Sequence, residues 1–357
     1  MRMRFQVLLW LACGALLGAA ACSDGSGPGA TFDASRTSQT TEAVTSSFQR
    51  NQAVQSMDAL GDDMAVAAPP AVASQTARDP GLASLERATL SSAAMAPIFP
   101  ADALGKTFIC QYNDTTKKCK YVIDPNRTGA PATGVRFILY AVDPLLRRVL
   151  IPLQEIGYVD ITDKSTPAQA TVGIKAVVNN ATVLEYDASS VVTTTSVSFA
   201  AVGYLMDGAQ KINFDLSQGL ARDSLGADYK ITVEGKNQSL RFAFKGVKRA
   251  GENGIKVDAG ELTLTINDAG HTTELKATAS NNVIEGTVTY DGEVVIKISG
   301  AANSPTFTDK DGNPLSEAEL AHLRKIFEFV ESVVKHFGHL LRPAYRTLII
   351  NVFDGGN

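Results

Sequence analysis

The sequence predicts a mainly β protein: an antiparallel β-meander, curved or open-barrel-like, with one long C-terminal amphipathic helix packed on it. Three observations predict this. Between Thr107 and Gly300 apolar and polar residues alternate: Leu240, Phe242 and Phe244 with Arg241, Ala243 and Lys245, and Leu262, Leu264 and Ile266 with Thr263 and Thr265. A period of two puts one side of each strand on a core and the other toward water. Turn signals punctuate these runs at Asn179-Asn180, Asp207-Gly208, Gly235-Lys236-Asn237, Asp268-Ala269-Gly270 and Asp291-Gly292. Asp-Gly between alternating flanks marks a hairpin, because both turn residues take positive φ. After Ser316 the period becomes three and four, through Leu320, Leu323, Phe327, Val330, Val334, Phe337 and Leu341.

Consecutive hairpins imply a meander of roughly ten or more strands. The spacing that βαβ units need is missing, which argues against a parallel sheet. The C-terminal helix is expected over 316–341. It opens on a capping box, Ser316-Glu317-Ala318-Glu319, and Pro343 should end it. Ala344 to Phe353 then reads as a final strand.

Residues 1–21 have the plan of a secretory signal: Arg2 and Arg4, an apolar run from Phe5 to Leu17, then Gly18-Ala19-Ala20-Ala21 before Cys22. The apolar run is short for a permanent span. The stretch Ala19-Ala20-Ala21-Cys22 resembles the lipobox of bacterial lipoproteins, although Ala19 stands where the family usually has Leu. The resemblance implies cleavage before Cys22, acyl chains such as palmitate on that residue, and a membrane-anchored place in the cell envelope. Ser23, where an Asp would imply retention at the inner membrane, implies the outer membrane.

Residues 22–100 are rich in Ala, Ser, Thr, Gly and Asp and read as a largely disordered tether before a single β-rich domain over 101–357. Two short helices are considered within it. One spans Thr41 to Leu60, where Val44, Phe48, Val54, Met57 and Leu60 are loosely periodic; the other spans Gly81 to Met95. Of the four Cys, Cys13 leaves with the signal and Cys22 takes lipid. Cys110 and Cys119 remain, and in an exported chain they are expected to bridge a hairpin.

The charged fraction of 20% and the net charge of −4 show no basic stripe, which argues against nucleic acid as a partner. Asp309, Asp311 and Asn313 are weak calcium candidates, because the loop lacks the Gly and Glu positions of an EF-hand. His336 and His339 share a helix face, but no third zinc ligand is evident and they read as exposed. His271 falls in a hairpin turn. No Gly-x-Ser-x-Gly elbow, Ser-x-x-Lys pair or phosphate loop occurs, and no cofactor is implied. Gly129–Asp143 and Ile156–Asp163 are similar to segments of bacterial lipoproteins of no assigned activity, and Arg136 is a candidate partner of Asp160.

The expected function is a non-enzymatic binding or structural lipoprotein of the envelope. It would be held to the membrane by its anchor and would meet an apolar ligand or an envelope protein. The alternative is an exported hydrolase of glycans or lipids with a carboxylate site. A contiguous apolar cavity would favour a carrier, converging carboxylates of shifted pKa a hydrolase, and a packed interior with neither a scaffold.

Overall fold

The computed structural model describes residues 34–64, 98–193, 195–221, 223–251 and 254–353. The signal segment, Cys22 and the second short helix considered over Gly81–Met95 lie outside the described residues. Four helices are present among the described residues: α1 (Ala34–Arg50), α2 (Gln52–Asp63), α3 (Glu317–Leu340) and α4 (Arg342–Phe353). The strands are β1 (Thr107–Asn113), β2 (Lys118–Ile123), β3 (Gly134–Tyr140), β4 (Val142–Asp143), β5 (Arg148–Val149), β6 (Glu155–Asp163), β7 (Ala170–Val178), β8 (Ala181–Val192), β9 (Ser196–Asp207) and β10 (Gln210–Ala221). They continue with β11 (Ser224–Val233), β12 (Gln238–Gly251), β13 (Gly254–Asp268), β14 (His271–Ser280), β15 (Val283–Tyr290), β16 (Glu293–Ala301) and β17 (Ser304–Asp309).

The protein is therefore mainly β, as the alternation predicts. Fifteen strands hydrogen-bond in the order β17-β16-β15-β14-β13-β12-β11-β10-β9-β8-β7-β6-β3-β1-β2, and β4 and β5 form a separate ladder. The pairs from β6 to β9 and from β11 to β17 are antiparallel, whereas β1 and β3 run parallel. Ala269-Gly270, Asp291-Gly292 and Asn179-Asn180 all take positive φ at both residues, the geometry that suits the twist of a two-residue hairpin. Asn281-Asn282 does the same at a turn that the sequence reading passed over.

The chain divides into two compact units. The first contains α1 up to Ser46, the strands from Gln218 onward and α3 up to Val334. Along β11 and β14 buried and exposed positions alternate: Ala227, Tyr229, Ile231 and Val233 in one, Thr273, Leu275 and Ala277 in the other. Leu323, Ile326, Phe327 and Val330 of α3 are buried in the same unit. The capping box forms as expected: the Ser316 backbone N–H donates to Glu319 Oε2 at 2.8 Å, and the Glu319 N–H donates to Ser316 Oγ at 3.3 Å. α1 is fixed by Arg36 Nε on Asp268 Oδ2 at 3.0 Å, by Thr37 beside Thr273, and by Lys325 on Glu42.

The second unit holds residues 47–217 and 335–357. Asn51 caps α2, accepting from the backbone N–H of Ala53 and Val54, while its own side-chain amide donates to the Met206 carbonyl at 2.7 Å. α2 buries Val54, Met57 and Leu60, and Ser56 Oγ donates to the Tyr140 carbonyl. Phe48, Phe337 and Phe214 form a chain of ring contacts at 5.0 and 5.3 Å, and Phe199 stacks on Tyr345 at 4.0 Å. Gly203 of β9 is required by a close approach: a Cβ there would lie 2.2 Å from the Glu185 carbonyl oxygen and 2.3 Å from Tyr186 Cβ.

Two expectations are corrected. Residues 34–63 of the span assigned to a tether are two helices whose apolar side chains are buried, and together they cover the Thr41–Leu60 region weighed as a helix. α1 escapes a compositional reading because its buried side chains are small and hydroxylic. Ser38 and Thr41 donate to the backbone carbonyls three residues before them, so they enter the core with their hydrogen bonds satisfied. The expected final strand over Ala344–Phe353 is instead the helix α4. Its β-branched run is overridden by packing, with Ala344 and Leu348 buried and Pro343 tolerated in the first turn. Each of the two compact units draws on residues before 64.

Candidate functional site

The densest set of charged groups in the second unit centres on Asp58. α2 places it between Met57 and Ala59, and its side chain is 8% exposed. His339, in the last turn of α3, meets Asp58 Oδ1 through Nδ1 at 2.6 Å. Arg342, the first residue of α4, places Nη1 2.8 Å from the same oxygen. Arg147, in the β4–β5 turn, places Nη1 3.6 Å from Oδ2 and 2.8 Å from His339 Nε2.

These contacts assign the imidazole. A guanidinium can only donate, so Nε2 accepts from Arg147, and Nδ1 carries the proton that goes to Asp58. The 3.3 Å approach of Arg342 Nη2 to Nδ1 is then a secondary contact beside its stronger one to the carboxylate. Burial by itself would raise the pKa of Asp58. The hydrogen bond from His339 and the charges of Arg342 and Arg147 outweigh burial and hold the carboxyl below its ordinary value of 3.8.

An Asp–His pair can serve a general base, but here the outer nitrogen of the ring is occupied by a guanidinium. The carboxyl is also shifted away from the raised pKa that a general acid needs. Chemically the cluster can join three elements, α2, the α3–α4 junction and the β4–β5 turn. A second ion pair lies on β3 and β6, where Arg136 and Asp160 face each other across the ladder. Their contact is bidentate at 2.7 and 2.8 Å, and the guanidinium lies 3.7 Å over the Tyr158 ring. The partnership expected for Arg136 is present.

The residues singled out from sequence fare as follows. Cys110 and Cys119 form a disulfide across the β1–β2 hairpin, with both residues buried. Asp309 Oδ1 accepts the backbone N–H groups of Asp311 and Asn313, and Oδ2 accepts the Asn313 amide at 2.9 Å, so the calcium candidates make a turn with one another. Among the described residues no group of three His, Cys, Asp or Glu is disposed to hold a metal ion. His336 and His339, read as exposed, are 9% and 13% exposed, and their rings lie 6.5 Å apart. His271 is half exposed and bonds Asp291 Oδ2 at 2.7 Å.

Sequence reasoning missed Asp58 and Arg147, because Asp58 and His339 are 281 residues apart and no spacing rule joins them. It also passed over the segment between β3 and β6, where Leu145 is 91% and Leu146 67% exposed. The signal was legible: Pro144-Leu145-Leu146 and Leu150-Ile151-Pro152 are apolar runs on a turn, where polar residues are usual.

Two spaces in the core of the first unit are small. The space among Leu264, Ile266, Leu275, Val288, Leu323 and Ile326 has no room for a water molecule, and the one among Phe244, Ile284, Ile298, Phe307 and Phe327 amounts to about 40 Å³. Among the described residues no helix is long and apolar enough to cross a membrane. No protein-family model, no curated protein and no solved structure matches the chain.

Proposed function

We propose that this chain is a lipid-anchored, non-enzymatic structural module of the bacterial envelope, tethered through Cys22, with a packed sheet-and-helix body held outside the cytosol. What supports the structural reading is the small size of the spaces in the core of the first unit: one of about 40 Å³ accommodates a water molecule or two and no acyl chain. A lipid carrier would need a larger space than either of these. The Asp58 cluster does not support the hydrolase reading, since its buried carboxylate is committed to a histidine and two arginines. The anchor rests on the run of small residues ending at Cys22, and the buried disulfide suits an oxidising compartment.

Two measurements test the reading. Cys22→Ser should move the protein from the membrane to the soluble fraction and slow its maturation; unchanged partitioning removes the anchor. Native mass spectrometry of the protein purified from its own envelope should show the acylated chain with nothing else bound. A stoichiometric co-purified lipid would restore the carrier.

A further inference from the structure

We propose that the excursion between β3 and β6, residues 141–154, is a second membrane contact whose tip, Leu145 and Leu146, docks on an anionic lipid bilayer. The proposal rests on the envelope reading for its location and on the excursion itself for its chemistry.

Exposure is concentrated there. Leu145, Leu146, Leu150 and Ile151 are 91%, 67%, 37% and 55% exposed within seven residues, and Pro144 and Pro152 beside them are exposed as well. The other large apolar side chains exposed among the described residues, such as Val202 and Val283, stand singly in sequence. Scattered exposure is ordinary, but a contiguous apolar patch marks an interaction surface.

The backbone of the tip suits a lipid surface. Asp143 Oδ1 accepts the N–H groups of Leu145 and Leu146 at 2.8 and 2.9 Å, and the Asp143 carbonyl accepts that of Arg147 at 2.8 Å. Entry into the interfacial region therefore strands none of these amides, which is the usual obstacle to placing a loop in lipid. The base is closed as well: the Leu150 N–H donates to the Ala141 carbonyl, and the Ala141 N–H donates to the Gln154 carbonyl, both at 2.8 Å.

Charge selects an anionic surface. Of the two arginines within 141–154, Arg147 is held by Asp58 and His339, which leaves Arg148 to meet the headgroups. The single carboxylate faces inward to the tip amides, while Arg148 is exposed beside the leucines. Leucines at a tip with arginine at its base are the arrangement that partitions into a headgroup layer.

The test uses the full chain carrying Cys22→Ser, so that acylation cannot mask the tip, with phosphatidylcholine vesicles and mixed phosphatidylcholine–phosphatidylglycerol vesicles. The parent should sediment with the mixed vesicles and much less with the neutral ones. Leu145→Asp with Leu146→Asp should weaken that binding by about tenfold or more. Val202→Asp, at an isolated exposed position, should leave it unchanged; all variants should melt with the parent. With the signal segment removed, and Trp10 with it, the Leu146→Trp variant carries one tryptophan, whose emission should shift to shorter wavelength on the mixed vesicles. Equal binding by the double Asp variant, or an emission from the Leu146→Trp variant that is indifferent to lipid, overturns the proposal. So does a concentration-dependent dimer in buffer that the double variant abolishes, which assigns the patch to a second copy of the chain. Fractionation of the acylated chain against Cys22→Ser reports the anchor alone, so the two readings fail separately.

Discussion

Removing the Asp58 carboxylate should expose how much of the second unit depends on one buried charge. In Asp58→Ala, His339 Nδ1 and Arg342 Nη1 lose acceptors at 2.6 and 2.8 Å, and Arg147 loses an ion pair at 3.6 Å. A hydrogen bond to a charged group contributes about 1.5–3 kcal/mol. Two short ones at the lower end give about 3 kcal/mol, since Arg342 is about a quarter exposed and water can replace part of what it loses. Arg147 adds little, because half of its side chain is already in water. Asp58→Asn keeps one acceptor and should lose about half as much. Urea unfolding of the full chain, followed by circular dichroism, reads both. A loss under about 0.5 kcal/mol for the Ala variant, the size of an ordinary surface change, would contradict this account. The pH dependence supplies a second check. The pKa of Asp58 is lower in the folded chain than its ordinary 3.8, so its contribution is complete above that value and is lost as pH falls through the depressed folded value. The gap between parent and Asp58→Ala should therefore be full at neutral pH and should shrink as the pH is taken well below 3.8. A gap that widens on acidification would mean that the carboxylate is a net liability.

Gly203→Ala should destabilise the second unit by roughly 1–3 kcal/mol, read by urea midpoint, because its Cβ would meet the Glu185 carbonyl oxygen at 2.2 Å and β8 must shift. Reducing the Cys110–Cys119 bridge, whose ends are 9 residues apart, should cost about 2–3 kcal/mol by the loop-entropy relation; an unchanged midpoint with and without dithiothreitol would show that the hairpin holds itself. Tyr186, fully buried, has its phenol pKa pushed above the ordinary 10.0 by burial and donates to the Leu340 carbonyl at 3.1 Å. Tyr186→Phe leaves that carbonyl unpaired and should cost about 1–2 kcal/mol in the same assay.

Much of the fold was legible in the residues. Strand alternation and hairpin turns act between neighbours in sequence, and so do the Ser316–Glu319 cap and the helical stripe after it, so each can be read locally. Even the Cys110–Cys119 bridge spans one turn. The failures share a cause. α1 is polar by composition, yet Ser38, Thr41, Val44 and Phe48 are buried and Thr37 meets Thr273, a residue 236 positions away. Residues 344–353 have strand-forming side chains and are helical because Ala344 and Leu348 are buried and Tyr345 stacks on Phe199. The Asp58 cluster draws on residues 58, 147, 339 and 342.

Interactions spanning a few residues were enough to set the β class, the register-setting turns, the capped C-terminal helix and the cysteine pair, and these could be read from the chain as written. Three outcomes depended on long-range packing: a hydroxyl-rich N-terminal segment is buried, a β-branched tail is helical, and Arg147 meets His339. Local propensities differ by about 1 kcal/mol or less per residue. The burial of a single large side chain is worth more than that, so contacts between distant parts of the chain overrule local preference.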